Sequence, residues 1–179
     1  MEEGSGSELY FYPANSPYND IDGYYRRLTN EQQEALVEVQ KWVIDKDIDM
    51  ATLCKHTLHP TLTLLRYLRA NGFDVEKSIE HMSVNIQWRM DTKVDELSRV
   101  PPEDILGCSL PSLTQFFPHW HCGYDSTGRP VLYKQYGKFD VAKLKEITTM
   151  DAVMKYHIWE QEACLSLCVA QSHKRGEWG

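Results

Sequence analysis

Residues 63–90 read TLLRYLRANGFDVEKSIEHMSVNIQWRM, and their pattern predicts two helices joined by a tight turn. Pro60, just upstream, can open the first helix at its first turn. The Asn71-Gly72 pair predicts the end of that helix, because both residues tolerate the left-handed conformation of a helix C-cap. One face of the first helix carries apolar residues at helical spacing: Leu62, Leu65 and Leu68.

An apolar stripe predicts that the second helix of this pair is long. Asp74 is its expected N-cap, and the apolar residues after it step by three or four positions, as on one face of a helix. They are Val75, Ile79, Met82, Ile86 and Met90. We expect this stripe to pack against neighbouring helices.

A further helix is predicted upstream of the pair, beginning at a capping box. In TNEQ, Thr29 is the expected N-cap and Gln32 its partner three residues later. The three helices together predict a small bundle over residues 29–98. Residues 1–28 show no periodicity and predict an extended or disordered arm. The apolar positions of the upstream helix are Leu36, Val39 and Val43.

The second half of the chain changes from helical to β patterning. VPPEDILGCSLPS contains three prolines and predicts a linker over residues 99–115. HWHCGYD and PVLYKQYG then flank the turn sequence DSTGR, so residues 117–136 are predicted to form a β-hairpin.

Two helices are predicted after the hairpin. Asp140 is the expected N-cap of a short helical turn, and TTMD at 148–151 is a second capping box that opens a helix from 149 to about 170. A hairpin and these helices leave apolar faces without partners. We therefore expect either that they pack on the bundle or that the chain is a fragment. The expected stripe of the long helix is Met154, Ile158, Leu165 and Val169.

Composition and charge argue against several classes of function. The net charge of −7 is unfavourable for nucleic-acid binding, which needs a positive field. No apolar run approaches the roughly 18 residues that span a bilayer, and the acidic start MEEGSGSE lacks the apolar segment of a secretory signal. The five cysteines are odd in number and irregularly spaced, which favours reduced thiols and a cytoplasmic location.

The sequence offers weak candidates for metal binding or catalysis. His119 and His121 are two apart on a predicted strand, next to Cys122, but zinc would need two further ligands and the chain has no CxxC or HExxH pattern. It also has no GxSxG elbow, P-loop or GxGxxG loop. Asp125 and Glu160 would be arbitrary choices for an acid and a base. We therefore expect no metal, no cofactor, no catalytic residue and no enzymatic activity.

Aromatic residues concentrate in and around the predicted hairpin. They fit ordinary strand propensity, and collectively they also fit the mouth of an apolar cavity. The set consists of Phe116, Phe117, Trp120, Tyr124, Tyr133 and Tyr136.

Three motifs in order resemble the CRAL-TRIO (Sec-fourteen-like) lipid-transfer family, over residues about 29 to 172. The first is the LLRYLR helix with Phe73-Asp74-Val75 at the turn and the Trp88-Arg89 pair. The second, in the hairpin, comprises Asp125, Gly128, Arg129, Pro130 and Val131. The third, in the long helix, is a Trp-Glu-x-Glu core at Trp159, Glu160 and Glu162.

The resemblance implies a three-helix bundle packed on an α/β domain whose sheet floors an apolar cavity. It implies binding of a phospholipid or another hydrophobic ligand, transfer or presentation of that ligand, and a transient peripheral contact with membranes by a monomer. Burying acyl chains, at about 0.8 kcal/mol per CH₂, lets such a cavity compete with a bilayer. The expected lipid-binding residues are Phe116, Phe117, Trp120, His121, Leu132 and Tyr133.

The chain also departs from the family pattern. The family domain continues for roughly a hundred further residues, so residues 116–179 are expected to be an incomplete lipid-binding domain in an α+β or α/β fragment unable to enclose lipid alone. Choline-lipid binders resemble this hairpin but carry tyrosines where His121 and Leu132 stand, and inositol-lipid binders carry an Arg-Lys pair at Asn71-Gly72. Neither headgroup follows from the sequence. The alternative function is a regulatory or protein-interaction scaffold.

Overall fold

A computed structural model of the chain describes residues 23–56 and 59–175. Most of the predicted arm, residues 1–22, lies outside the described residues. The remainder of the arm contains a 3₁₀ turn at Tyr25–Arg27. Within the described residues the fold is α+β, as predicted, with nine α-helices and one two-stranded antiparallel sheet. No helix in those two ranges is long and apolar enough to cross a membrane.

The elements follow one another in a simple order. The first helices are α1 (Asn30–Asp45), α2 (Met50–Leu53), α3 (Pro60–Ala70), α4 (Val75–Thr92), α5 (Val94–Leu97), α6 (Pro102–Leu106) and α7 (Leu110–Phe116). Strands β1 (His119–Tyr124) and β2 (Pro130–Lys134), a 3₁₀ turn (Tyr136–Lys138), α8 (Val141–Ile147) and α9 (Met150–Arg175) follow. The chain divides into two compact units, of which the first contains α1 to α4 and the second runs from Lys93 to Gln171.

The first unit is a helical bundle around a leucine-rich core. The capping box that opens α1 is confirmed, since Gln32 N donates to Thr29 Oγ1 (3.3 Å) and Thr29 N donates to Gln32 Oε1 (3.0 Å). Burying each large aliphatic side chain contributes about 1.5–3 kcal/mol. The buried members of the core are Ala35, Leu36, Val39, Leu53, Leu64, Leu65, Leu68 and Met82.

The turn between α3 and α4 confirms the C-cap predicted at Asn71-Gly72. Gly72 has a φ of +63°, and its N–H donates to Arg69 O (3.2 Å). Phe73 N donates to Leu68 O (2.7 Å), which completes the Schellman arrangement of a helix C-terminus. Phe73 also adopts a positive φ of +63°.

The apolar stripe predicted for α4 is correct except at its end. Met82 is fully buried and Val75, Ile79 and Ile86 pack against the core, whereas Met90 is 62% exposed. Each four-residue step advances about 40° beyond a full turn, so Met90 lies about 80° around the helix from Met82. Met90, the last member of the predicted stripe, therefore lies outside the buried face of the helix.

Helices α6 and α7 of the second unit lie where the sequence predicted a linker over residues 99–115. Helices α6 and α7 both carry proline in the first turn, where its missing N–H is not needed. The proline-rich pattern thus marked two helix starts. The helices contribute to a second core, whose buried members are Leu106, Leu113, Phe117, Leu144, Val153 and Tyr156.

The predicted hairpin is confirmed, with Trp120 opposite Tyr133 and a register irregularity between His121 and Tyr124. Asp125 organises the turn, because its Oδ1 accepts hydrogen bonds from Thr127 N (2.8 Å), Thr127 Oγ1 (2.7 Å) and Arg129 N (2.9 Å). Gly128, at a φ of +82°, supplies the left-handed residue of the turn.

The two helices after the hairpin form, with corrections to the second. Asp140 caps α8 as predicted, through Lys143 N (3.1 Å). The predicted capping box at 148–151 is wrong by one position, because Thr149 accepts from Ala152 N (3.1 Å) while Thr148 Oγ1 donates to Leu106 O (2.6 Å).

The predicted apolar stripe of α9 is also wrong at its start, and the helix extends to Arg175. Met154 is 56% exposed, whereas Val153, Tyr156 and Glu160 form the buried side. This side mixes polar and apolar residues, so a search for apolar spacing alone chose the adjacent face.

Candidate functional site

The hairpin presents two different faces, because side chains alternate along a strand. Trp120 and Tyr133 are cross-strand partners on one face, with ring centroids 5.0 Å apart. These side chains are 47% and 45% exposed, so this is an open aromatic surface. On the opposite face, His119 pairs with Lys134 and His121 with Leu132.

The second face of the hairpin joins α9 through a set of side chains that we call the buried polar cluster. His119 Nε2 lies 2.8 Å from Tyr156 Oη and 3.6 Å from Glu160 Oε1. Lys134 Nζ forms an ion pair with Glu160 Oε2 and lies 3.1 Å from His157 Nδ1. Both strands are thereby attached to one helix. The members of the cluster are His119, Lys134, Tyr156, His157 and Glu160.

Hydrogen bonding determines which atoms donate in the buried polar cluster. His119 Nδ1 lies 2.7 Å from Phe117 O, and a carbonyl oxygen can only accept, so Nδ1 donates. In the neutral imidazole, Nε2 then accepts from the Tyr156 hydroxyl. Burial, and secondarily the charge of Glu160, raises the pKa of Tyr156 to about 12. Tyr156 therefore keeps its proton and remains a donor at physiological pH.

The buried polar cluster contains one pair of opposite charges, the Lys134 ammonium and the Glu160 carboxylate. The side chains of Lys134 and Glu160 are almost fully buried, and the ammonium also donates to His157 Nδ1. Removing two charges from water costs several kcal/mol per ion, which the pair offsets only through close contact and further hydrogen bonds. The arrangement thus holds the hairpin in a defined position on α9.

The predicted lipid-binding residues lie at several places in the second unit. Phe117 is buried in the core, and Phe116 is half-buried under the Lys143 ammonium, which lies 5.5 Å from its ring centroid. His121 is exposed and Leu132 half-buried on the cluster face of the hairpin. Trp120 and Tyr133 form the opposite surface. Four of the six residues therefore form two pairs on opposite faces of the hairpin, and Phe116 and Phe117 belong to neither pair.

The His-x-His-Cys motif does not converge on one point. His119 is buried and uses both ring nitrogens within the protein, whereas His121 and Cys122 are exposed. Within the described ranges 23–56 and 59–175, no group of three or more His, Cys, Asp or Glu side chains is arranged to hold a metal ion.

Sequence reasoning missed Lys134, Tyr156 and His157 as members of a site. Glu160 stood out through the Trp-Glu-x-Glu core and His119 through the histidine pair. Strand alternation could have indicated Lys134. This residue shares a face of β2 with Leu132, and it lies on the same side of the hairpin as His119. A lysine on a core-facing strand position needs a carboxylate partner.

Residues 29–83 match the family model described as CRAL/TRIO, N-terminal domain. The phosphatidylinositol/phosphatidylcholine transfer protein SFH7 of Arabidopsis thaliana is 39% identical over 99 residues, which cover 55% of this chain and 17% of that protein. The SEC14 cytosolic factor of Eremothecium gossypii is 30% identical over 155 residues, which cover 87% of this chain and 47% of that protein.

Residues 29–83 of the chain form an N-terminal domain of the CRAL-TRIO family. The family model covers α1, α2 and α3 and part of α4, whereas the longer alignment with the cytosolic factor accounts for most of the chain. The chain spans about half the length of that relative and less of the Arabidopsis proteins. By their names, these relatives are a phosphatidylinositol/phosphatidylcholine transfer protein and a cytosolic factor.

Proposed function

We propose that this chain contributes to the binding of a phospholipid and to its transfer between membranes. The observation that carries the proposal is the 155-residue alignment with the SEC14 cytosolic factor, which extends over most of the chain. The names of the Arabidopsis relatives supply the two candidate ligands, phosphatidylinositol and phosphatidylcholine.

The open aromatic surface of the hairpin is where we infer that the ligand makes contact. Trp120 and Tyr133 present large apolar rings with polar edges, which suits the boundary between an acyl chain and a headgroup. His121 and Leu132 are the second candidate pair, on the other face. Phe117 already packs in the core, and Phe116 lies at its margin.

The 179 residues by themselves are proposed not to enclose a lipid. In the described residues the sheet has two strands, and one face of it is exposed. A lipid pocket must shield most of the ligand from water, which one open face of a hairpin does not do. Native mass spectrometry of the purified chain should accordingly detect no stoichiometric phospholipid, and retained lipid would contradict this part of the proposal.

A chimera with a relative tests the function directly. The aligned segment of the Eremothecium gossypii cytosolic factor is replaced by the corresponding 155 residues of this chain. Transfer of labelled phosphatidylinositol or phosphatidylcholine between vesicles is then measured. We expect the chimera to transfer at least one of the two lipids. A chimera that folds, by circular dichroism and urea unfolding, but transfers neither would overturn the proposal.

Two substitutions in the chimera test the aromatic surface. Trp120→Ala and Tyr133→Ala remove a cross-strand pair worth about 0.2–1 kcal/mol, so the protein should remain folded. Both are expected to slow transfer. Val37→Ala, at an exposed apolar position of the first unit, is the control and should leave transfer unchanged. Equal rates for all three variants would place the ligand contact elsewhere.

The remaining expectations follow from the proposed function. We expect a monomer in the cytoplasm that meets membranes transiently, that does not bind nucleic acid and that carries out no covalent chemistry. The alternative, a regulatory or protein-interaction scaffold without lipid transfer, gains support if the folded chimera binds neither lipid.

A further inference from the structure

Two cysteines lie four residues apart on α9, within the second unit. Cys164 and Cys168 are free thiols and both are half-buried. Side chains four apart on a helix share one face, with Cβ atoms about 5–6 Å apart. Burial raises the pKa of the Cys168 thiol, and so do the negative charge that Cys164 bears as a thiolate and a hydrogen bond between the two side chains. The two sulfurs are therefore neighbours on one surface of the helix.

The helical spacing disfavours a direct disulfide between these cysteines. A disulfide needs Cβ atoms about 3.5–4.5 Å apart, whereas an intact helix holds them about 5–6 Å apart. A single atom bonded to both sulfurs lengthens the bridge and removes this conflict. The geometry therefore favours a bridged dithiol over an oxidised one.

We propose that Cys164 and Cys168 form a two-thiol site for a thiophilic centre that accepts two sulfur ligands, represented by a trivalent arsenical. Zinc is a poor candidate, because structural zinc sites need four protein ligands and no suitable third residue adjoins the pair within the described residues. Thiols prefer soft centres of this kind. The site is independent of the proposed lipid function.

The reaction of this site with phenylarsine oxide is balanced without an oxidant. Two thiol S–H bonds and the arsenic–oxygen bonding are broken, and two arsenic–sulfur bonds form. The two protons leave with the oxygen as one molecule of water, and arsenic remains trivalent. The other thiols stand singly in separate places, with Cys54 after α2, Cys108 between α6 and α7, and Cys122 on β1.

The 179-residue chain is treated with one equivalent of phenylarsine oxide, alkylated with iodoacetamide and mapped by mass spectrometry. We expect one arsenical per chain, protection of Cys164 and Cys168, and alkylation of the other three cysteines. Circular dichroism should show unchanged helix content. Protection of a different pair, or adduct formation that requires loss of helix, would overturn the proposal.

Single substitutions test whether both sulfurs are needed. Because the second bond of a chelate forms at high effective concentration, Cys164→Ser and Cys168→Ser should each weaken retention against a monothiol competitor by about 100-fold or more. Cys122→Ser is the control and should retain the arsenical like the unsubstituted chain. Retention by either helix variant equal to that of the control would show that no chelate forms.

Discussion

Lys134 of β2 and Glu160 of α9 form an ion pair inside the second unit, with side chains only 7% and 2% exposed. Twenty-five residues separate them in the sequence, including α8 and the start of α9. The pair joins the hairpin to the long helix, and its loss should affect how firmly the two are held together.

Lys134→Met leaves the Glu160 carboxylate buried without its main cation. We expect the free energy of unfolding to fall by about 3–5 kcal/mol, because an uncompensated buried charge is costly. The double variant Lys134→Met/Glu160→Leu removes both charges and should recover most of that loss. Urea unfolding at neutral pH, followed by circular dichroism, measures both values.

An exposed ion pair on the same helix provides the control for this comparison. Lys155 Nζ lies 2.6 Å from Asp151 Oδ2, and both side chains are more than half exposed. Lys155→Met should change stability by about 0–1 kcal/mol. An equal effect of the two lysine substitutions would mean that the buried pair contributes no more than a surface pair.

Tyr156 should make the stability of the second unit depend on alkaline pH. Its pKa is raised to about 12, so the folded state holds the phenol proton more tightly than the unfolded chain, whose tyrosines titrate near 10. The stabilisation is fully present below pH 10 and is lost as pH rises toward 12.

Tyr156→Phe removes this titration. Between pH 10 and pH 12 the free energy of unfolding of the unsubstituted chain should fall by about 2 kcal/mol more than that of the variant. Urea unfolding at several pH values, with tyrosinate absorbance as a second readout, provides the comparison. Parallel stability curves for the two proteins would show that Tyr156 titrates normally.

The sequence predicted helix caps and turns correctly where they depend on hydrogen bonds between residues close together in the chain. The capping box at Thr29, the Asn71-Gly72 C-cap and the turn after Asp125 each depend on contacts within a few residues, and all were confirmed. The prolines of residues 99–115 led to the prediction of a linker where helices form, because proline can both end a helix or strand and open a helix.

The buried polar cluster could not be predicted in the same way. Its contacts join β1 and β2 to α9, so they depend on how the hairpin rests on the helix. Helical periodicity is recognised from the spacing of apolar residues. It therefore predicted the face of α9 that contains Met154, whereas the buried face contains Tyr156 and Glu160. The family resemblance did point to Glu160, although it gave no partner for it.

Asp125 should make the hairpin turn sensitive to acid. Hydrogen bonds from Arg129 N and from Thr127 lower the pKa of the Asp125 carboxyl, so the folded turn favours the carboxylate. The stabilisation is present above the unfolded pKa and is lost as pH falls through the lowered folded value. Hydrogen exchange at the amides of Thr127 and Arg129 should therefore show weaker protection at low pH.

Substitution at the turn separates charge from hydrogen bonding. Asp125→Asn keeps an oxygen acceptor but removes the charge, so its amide protection should be intermediate and independent of acid pH. Asp125→Ala removes the acceptor and should reduce protection the most. Ser126→Ala, at an exposed position of the same turn, is the control. Similar protection in the Asn and Ala variants would mean that the Asp125 oxygen does not organise the turn.

Gly23, the first of the described residues, lies close to the Phe73 ring in the first unit. Its φ is +80°, and a Cβ at this position would lie 3.1 Å from Cε2 of the Phe73 ring. Gly72 offers a matched comparison in the same unit, with a φ of +63° and no atom within 4 Å of an added Cβ.

Both alanine substitutions place a side chain in the left-handed region, which costs about 1–2 kcal/mol. Gly23→Ala adds a tight contact that the Phe73 ring must move to accommodate, so it should lower the free energy of unfolding more than Gly72→Ala does. The added variant Gly23→Ala/Phe73→Leu shortens the facing side chain and should reduce the difference. Urea unfolding of the three proteins measures these effects. Equal losses for the two glycine substitutions would show that backbone strain alone accounts for the requirement at Gly23.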